Sequence, residues 1–242
     1  MREWLTQAVL GCAQNIPEEA EGYVLGRGLP SPLASEMQIG VWEPPSMKAP
    51  AEDFRKFGGC GDHFKGWLAI PLWSPRAALV GVEFRKWAGE KRVRKYHLPA
   101  SKWNPVFGGL TPSILHKIWK GGDVWLVEGV FDLALSHAIP TKDVALSTGG
   151  AILTHRHLSF LRRFMIPGAM VHLAFDEDET GRRQATGFTD EKSGKWVPGV
   201  PARLERVGVR CQVVRYRGGK DPGEIWEQGG KEALTRAFPF SY

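Results

Sequence analysis

From residue 124 onward, short apolar runs alternate with amphipathic stretches. Val124-Trp-Leu-Val127, Val144-Ala-Leu-Ser147 and Met170-Val-His-Leu-Ala-Phe175 are brief and almost wholly apolar, so each reads as a buried strand. Helical spacing follows each run, over residues 130–139, over about 154–164, and from near Thr180. Residues 189–199 are polar with Gly and Pro and read as an inserted hairpin or loop. A helix near 201–207 and a strand over 212–216 close the pattern. Strands that alternate with helices of about ten residues predict a parallel α/β sheet with helices on both faces. In such sheets ligands collect beyond the carboxyl ends of the strands.

The first half has a different texture. Trp67-Leu-Ala-Ile-Pro-Leu-Trp73 and Ala78-Leu-Val-Gly-Val-Glu-Phe84 are strand-like and joined through Ser74-Pro75. Residues 23–38 look helical, with Pro30 and Pro32 breaking them, and 42–51 is a proline-rich connector. The expected organisation is a smaller mixed α+β subdomain over residues 1–120, followed by the parallel-sheet domain over 121–242.

Charge separates the same two halves. The 242 residues carry 32 Lys and Arg against 26 Asp and Glu, a formal charge of +6. Residues 1–120 hold 16 basic against 11 acidic side chains, which leaves 16 against 15 for the rest. The surplus peaks at Arg85, Lys86, Lys91, Arg92, Arg94 and Lys95, interleaved with Trp87 and Tyr96. A basic strip with aromatics suits phosphate contact and base stacking. The same residues also read as a solvated β-hairpin turning at 88–91. Eight of the ten tryptophans lie in the first 125 residues, among apolar strands, and read mostly as core.

Three scattered cysteines, Cys12, Cys60 and Cys211, exclude a disulfide framework and a four-cysteine zinc site, and fit a reducing cytoplasm. No apolar run is long enough to span a membrane, and the N-terminus lacks a signal-peptide pattern. The His155-x-His157 pair reads as the first turn of a solvated amphipathic helix rather than as a metal pair.

The strand-end rule then selects acids. Glu128 ends the first strand, Asp176 and Asp178 end the third, and Asp221 lies in the loop after the last. Each alone is open to reading as a helix N-cap or a solvated loop residue. Together they bring four like charges to one edge, which is costly unless cations neutralise them. Oxygen donors point to Mg²⁺ or Mn²⁺, two or more ions, and not to zinc.

These residues carry a resemblance. Leu126-Val-Glu128-Gly129-Val-Phe-Asp132, Phe175-Asp176-Glu-Asp178-Glu-Thr-Gly181-Arg182 and Lys220-Asp221-Pro222-Gly-Glu224 resemble the TOPRIM motifs. With Ser147-Thr-Gly149-Gly150 between them, their order is similar to that of DnaG-type bacterial and phage primases. Gly26-Arg27-Gly28-Leu29, Gln38-Ile39-Gly40, Gly81-Val-Glu-Phe-Arg85, Lys95-Tyr96 and Asn104-Pro105-Val-Phe107-Gly108 resemble the preceding part of that family's polymerase core. The likeness spans roughly residues 20–230.

The resemblance implies a TOPRIM-type fold and a DNA primase: metal-dependent nucleotidyl transfer that makes short RNA primers on single-stranded DNA from nucleoside triphosphates. It implies metal binding by Glu128, Asp176, Asp178 and Asp221, with Glu128 either a ligand or a proton acceptor. Arg85 and Lys95 would hold phosphates, and Tyr96 would pack on a base or sugar, or else in the core. A replicative helicase or another replication protein is the expected partner in trans. The sequence departs from the family in three places. Gly223 stands where a second aspartate is usual, Leu98 replaces an asparagine, and Gly108 follows Phe107 where a lysine is usual. The 189–199 insertion is either a template or partner contact or an inert surface hairpin. With no upstream zinc module, the sequence reads as a stand-alone core such as a phage or mobile-element enzyme carries. Two other readings keep the fold: a TOPRIM nuclease, and a catalytically inactive module that binds nucleic acid.

Overall fold

The computed structural model describes residues 2–43, 64–88, 95–98 and 107–238. Three helices open the chain: α1 (Arg2–Gln14), α2 (Glu18–Gly26) and α3 (Ser31–Met37). Proline stands at the start of the last two. Pro17 is the N-cap of α2, Pro30 is the N-cap of α3, and Pro32 lies in its first turn. The helical stretch expected over 23–38 is therefore two helices, and α1 was not foreseen from the pattern.

Strands β1 (Gly40–Val41), β2 (Leu68–Trp73), β3 (Leu79–Arg85) and β4 (Lys95–Leu98) form an antiparallel sheet in chain order. The β3–β4 register sets Arg85 opposite Lys95 and Phe84 opposite Tyr96. The basic strip is therefore built on a paired ribbon. The turn expected at 88–91, and with it Lys91, Arg92 and Arg94, lies outside the described residues beyond Ala88.

The second half is a parallel sheet. Helix α4 (Pro112–Trp119) precedes β5 (Val124–Val127), a 3₁₀ helix (Phe131–His137), β6 (Val144–Ser147), α5 (His155–Phe164) and β7 (Met170–Leu173). Then come α6 (Glu179–Thr186), the hairpin β8 (Gly187–Thr189) and β9 (Trp196–Pro198), α7 (Val200–Glu205), β10 (Arg210–Val213) and α8 (Pro222–Ala237). The sheet order is β10-β7-β5-β6, all parallel. β5 and β6 are buried at every position, as a strand covered on both faces must be. The last strand starts two residues earlier than its apolar pattern suggested, at Arg210.

One hydrophobic cluster joins the halves: Leu29, Met37, Leu68 and Ile70 pack in the same core as Leu126, Leu146 and Leu173. A smaller cluster around Trp42, Phe64 and Phe84 lies under the antiparallel sheet. Trp42 and Trp125 are buried as expected, whereas Trp119 and Trp196 are exposed. His157 is buried against Phe107 rather than solvated. Its Nδ1 accepts the Thr154 N–H while Thr154 caps the helix, so the histidine closes a capping box. No helix among the described residues is long and apolar enough to cross a membrane.

Candidate active site

In the order β6-β5-β7-β10 the chain leaves β5 for one side and returns to the other. The crevice between the ends of β5 and β7 is the switch point of this sheet, where such folds bind ligands. Glu128 follows β5 directly, and Asp176 and Asp178 follow β7. The acids meet across the crevice: Glu128 Oε1 accepts the Asp176 N–H at 3.2 Å. Ser147 Oγ, at the end of β6, donates to the Glu128 carbonyl at 2.9 Å and fixes that strand end.

Asp221 comes from the loop after β10. Tyr216 Oη donates to both Phe175 O and Lys220 O at 3.0 Å, and Glu177 N–H donates to Lys220 O at 2.9 Å. These bonds tie the 216–221 loop against the β7 end. Asp178 and Asp221 are indeed N-caps: Asp178 Oδ1 accepts Gly181 N–H at 2.9 Å, and Asp221 Oδ1 accepts Glu224 N–H at 2.7 Å. Capping and clustering are both true of them.

Two further residues join the four. Asp132, in the 3₁₀ helix, is buried, with Oδ2 accepting Gly129 N–H at 2.6 Å and Oδ1 accepting Gly223 N–H at 3.2 Å. Lys220 Nζ lies 3.4 Å from Asp176 Oδ2 and 3.4 Å from Asp178 Oδ2. The sequence reading passed over both as site residues. A buried acid inside the apolar run Phe131-Asp-Leu-Ala-Leu135 was the available signal for Asp132. Lys220 had no signal beyond its place beside Asp221.

The electrostatics show one connected group. Burial, then the charge of Asp176, pushes Glu128 up to about 7. Burial, then Asp221 and Asp176, pushes Asp132 up to about 8. Asp176 is raised by burial and by Asp221. Asp178 is lowered, first by the Gly181 N–H it caps and then by Lys220. Burial opposes the charge on Lys220, but attraction to Asp176 and Asp178 outweighs it and raises its pKa.

These residues suit a hard divalent cation. Every donor is a carboxylate oxygen, and Asp176 Oδ1 is buried with no hydrogen-bond donor among the described residues. The Lys220 ammonium already occupies a cation's place between Asp176 and Asp178. Among the described residues no three His, Cys, Asp or Glu side chains close around one point as a finished metal cage. Glu128, Asp176, Asp178 and Asp221 would hold the ion, in competition with the Lys220 ammonium for the Asp176 and Asp178 carboxylates.

Beside the acids lies a nest of cations and rings. The guanidinium of Arg85 stands 4.5 Å over the Phe131 ring, and that of Arg27 stands 4.9 Å from the same ring. Phe131 immediately precedes Asp132 in the same 3₁₀ helix. Tyr23 meets Phe131 edge-on at 5.7 Å. Arg27 is ion-paired with Glu227, whereas Arg85 Nε is buried with no acceptor among the described residues. The side chains of Lys95 and Tyr96 lie outside the described residues; their backbone is paired with Arg85 and Phe84.

Residues 125–226 match the Toprim-like family model. No curated protein sequence matches the chain significantly. Solved structures do. The Aquifex aeolicus primase, as its zinc-binding and RNA polymerase domains, is 25% identical with TM-score 0.64. The match covers 91% of this chain and 55% of that one, so the chain spans little more than half of it. The RNA polymerase domain of Mycobacterium tuberculosis DnaG in complex with double-stranded DNA is 21% identical with TM-score 0.66 (95% and 76% covered). A DnaG primase catalytic domain bound to single-stranded DNA is 18% identical with TM-score 0.65 (98% and 80% covered).

Proposed function

We propose that this chain, whose residues 125–226 form a Toprim-like domain within the fold of the DnaG primase catalytic core, is a DNA primase that makes short RNA primers on single-stranded DNA from nucleoside triphosphates. In this reading residues 1–120 form the basic subdomain and 121–242 the catalytic one. The observation that carries it is the adjacency of opposite chemistries. The 3₁₀ helix that carries the buried Asp132 of the carboxylate group carries Phe131 just before it, and over that ring stands Arg85, whose Nε has no acceptor among the described residues. Hydrolysis of a phosphodiester places no triphosphate beside the acids and the ions they would hold. Joining a triphosphate to a growing strand also needs cations that hold phosphates beside them. Two DnaG structures of this fold were solved with DNA, which agrees with a nucleic-acid substrate.

Glu128, Asp176, Asp178 and Asp221 would hold Mg²⁺ or Mn²⁺, which, when bound, lower the pKa of an attacking hydroxyl and neutralise the triphosphate. Asp176 presents a buried oxygen with no hydrogen-bond partner among the described residues, and Glu128 is aimed by the Asp176 N–H. Glu128 would serve either as one of these ligands or as the acceptor of the 3′-hydroxyl proton as that oxygen attacks the α-phosphorus and pyrophosphate departs. Arg85, held flat by Phe131, and Lys95 opposite it in register would steady the phosphates, with Tyr96 against a base or sugar. A replicative helicase or another replication protein is the partner this reaction calls for.

The test offers the purified protein a single-stranded template, NTPs, dNTPs, a pre-labelled strand and Mg²⁺ or Mn²⁺ together. New labelled products should form with wild type and vanish in Asp176→Asn with Asp178→Asn. Consumption of the pre-labelled strand with no new product would move the assignment to a nuclease. DNA binding without either reaction would move it to an inactive module.

A further inference from the structure

The 189–199 insertion is a built surface. β8 and β9 pair antiparallel, with Phe188 opposite Val197 and Thr189 opposite Trp196. Asp190 closes the turn: its carboxylate accepts Lys192 N–H at 3.3 Å and Ser193 Oγ–H at 2.6 Å, and its backbone N–H donates to Lys195 O at 2.9 Å. Phe188 lies under the Arg183 guanidinium of α6 at 4.6 Å, which pins the hairpin to that helix. A Cβ on Gly187 would meet Trp196 Cζ2 at 2.6 Å, so only glycine lets the indole settle against the backbone there. Despite that support, Trp196 is 62% exposed. An indole held on one side and bare on the other is a platform whose orientation is already set.

At the tip the two carboxylates have partners and the two lysines do not, among the described residues. Asp190 is consumed by the turn, and Glu191 faces Arg183 at 3.8 Å. Lys192 and Lys195 are exposed and make no ion pair among the described residues. A bare indole in the same short hairpin as two exposed lysines that form no ion pair among the described residues matches a base with its neighbouring phosphates. An acidic protein surface would answer the lysines but leave the indole without a flat partner. Position agrees. The hairpin leaves α6 at its last turn, and α6 begins at its N-cap Asp178. Eight helical residues span about 12 Å, which a single strand covers in roughly three to four stacked nucleotides at 3.4 Å each.

We infer that the β8–β9 hairpin is a second contact for single-stranded nucleic acid, with Trp196 stacking on a base and Lys192 and Lys195 holding phosphates a few nucleotides from the acidic site. The inference rests on the primase reading for its strand.

Anisotropy of a fluorescein-labelled oligothymidylate, measured without nucleotides across a salt series, tests it independently of catalysis. Trp196→Ala should weaken binding about five-fold or more, the lower end of what one stacked aromatic contributes. Trp196→Phe should recover most of that loss. Lys192→Gln with Lys195→Gln should flatten the slope of log Kd against log salt by about 1.4, since two phosphate contacts are lost. A 5-bromouracil oligonucleotide should photocrosslink to Trp196. If wild type binds while Trp196→Ala and the double lysine variant bind within two-fold of it with unchanged slope, the hairpin is not this contact. If Trp196→Ala alters only sedimentation, the hairpin joins copies of the chain instead. If wild type itself binds no single strand, the primase reading falls with it.

Discussion

The Lys220 ammonium stands 3.4 Å from the carboxylates of both Asp176 and Asp178, so the acidic crevice carries its own counter-ion. The lysine backbone is held by Tyr216 and Glu177, and only the side chain is free to leave. A divalent cation held by these acids would compete with an ammonium that already offsets part of their repulsion.

Lys220→Met should therefore act in opposite directions on the two states. Without metal the variant loses attraction to two carboxylates. Because Lys220 is half exposed, each contact is worth about 0.2–1 kcal/mol. That predicts an unfolding temperature lower by about 1–8 °C for a chain of this size. Mg²⁺ or Mn²⁺ should bind several-fold more tightly, as calorimetry without nucleotides would show. Weaker metal binding in the variant would instead make Lys220 a support for the site.

Metal-free protein should lose stability as the solution turns alkaline. Glu128 and Asp132 have folded pKa values near 7 and 8, against ordinary values of 4.5 and 3.8. The folded state therefore holds more protons than the unfolded chain across that window. This contribution is full below pH of about 4 and lost as pH rises through 7 to 8. In EDTA the unfolding temperature should be at least ~2 °C higher at about pH 6 than at about pH 8. Saturating Mg²⁺ should abolish the difference, because cations then do what the protons did. Differential scanning calorimetry at the two pH values, with and without metal, checks both signs.

The parallel sheet was plain in the sequence because β5 and β6 are buried on both faces and show no polar position before Ser147. Strand ends then delivered Glu128, Asp176 and Asp178. What stayed hidden depends on contacts between distant segments. Lys220 enters the site only because Tyr216 reaches Phe175, forty-one residues away in sequence. Phe131 falls within the helical spacing over 130–139, and the core ring meets Arg27 and Arg85 only when α2 and β3 arrive beside it. Asp132 stands in the sequence only as the last residue of the Leu126–Asp132 motif, since burial cannot be read from one residue in a short apolar run. The polar stretch over 189–199, open in the sequence to hairpin or loop, lies in a hairpin. The exposure of Trp196, in a chain whose tryptophans looked like core, appeared only in three dimensions.

Gly223 offers a direct test of the departure from the family pattern. A Cβ there would lie 3.1 Å from Asp132 Oδ1 and 3.3 Å from Asp221 Oδ1. Gly223→Asp would add a negative charge to a group that is already strained by repulsion. Metal-free Gly223→Asp should melt several degrees below wild type, and below Gly223→Ala, which adds the contact without the charge. Added Mn²⁺ should raise the Tm of Gly223→Asp more than that of wild type. An equal metal response in both proteins would show that the site gains no ligand from this position.

Asp221 allows the cap and the charge to be separated. Its Oδ1 accepts Glu224 N–H at the start of α8, while its charge raises Asp132 and Asp176. Asparagine caps a helix about as well as aspartate, whereas alanine forfeits about 1 kcal/mol. Asp221→Asn should thus keep or slightly raise the metal-free Tm, since the cap survives and repulsion falls. Asp221→Ala should lower it by about 2–4 °C. Both variants should weaken Mn²⁺ binding and cut primer synthesis at least ~100-fold if the carboxylate is a ligand. Should Asp221→Asn prime like wild type, Asp221 is a helix cap alone, and the cations are held by Glu128, Asp176 and Asp178.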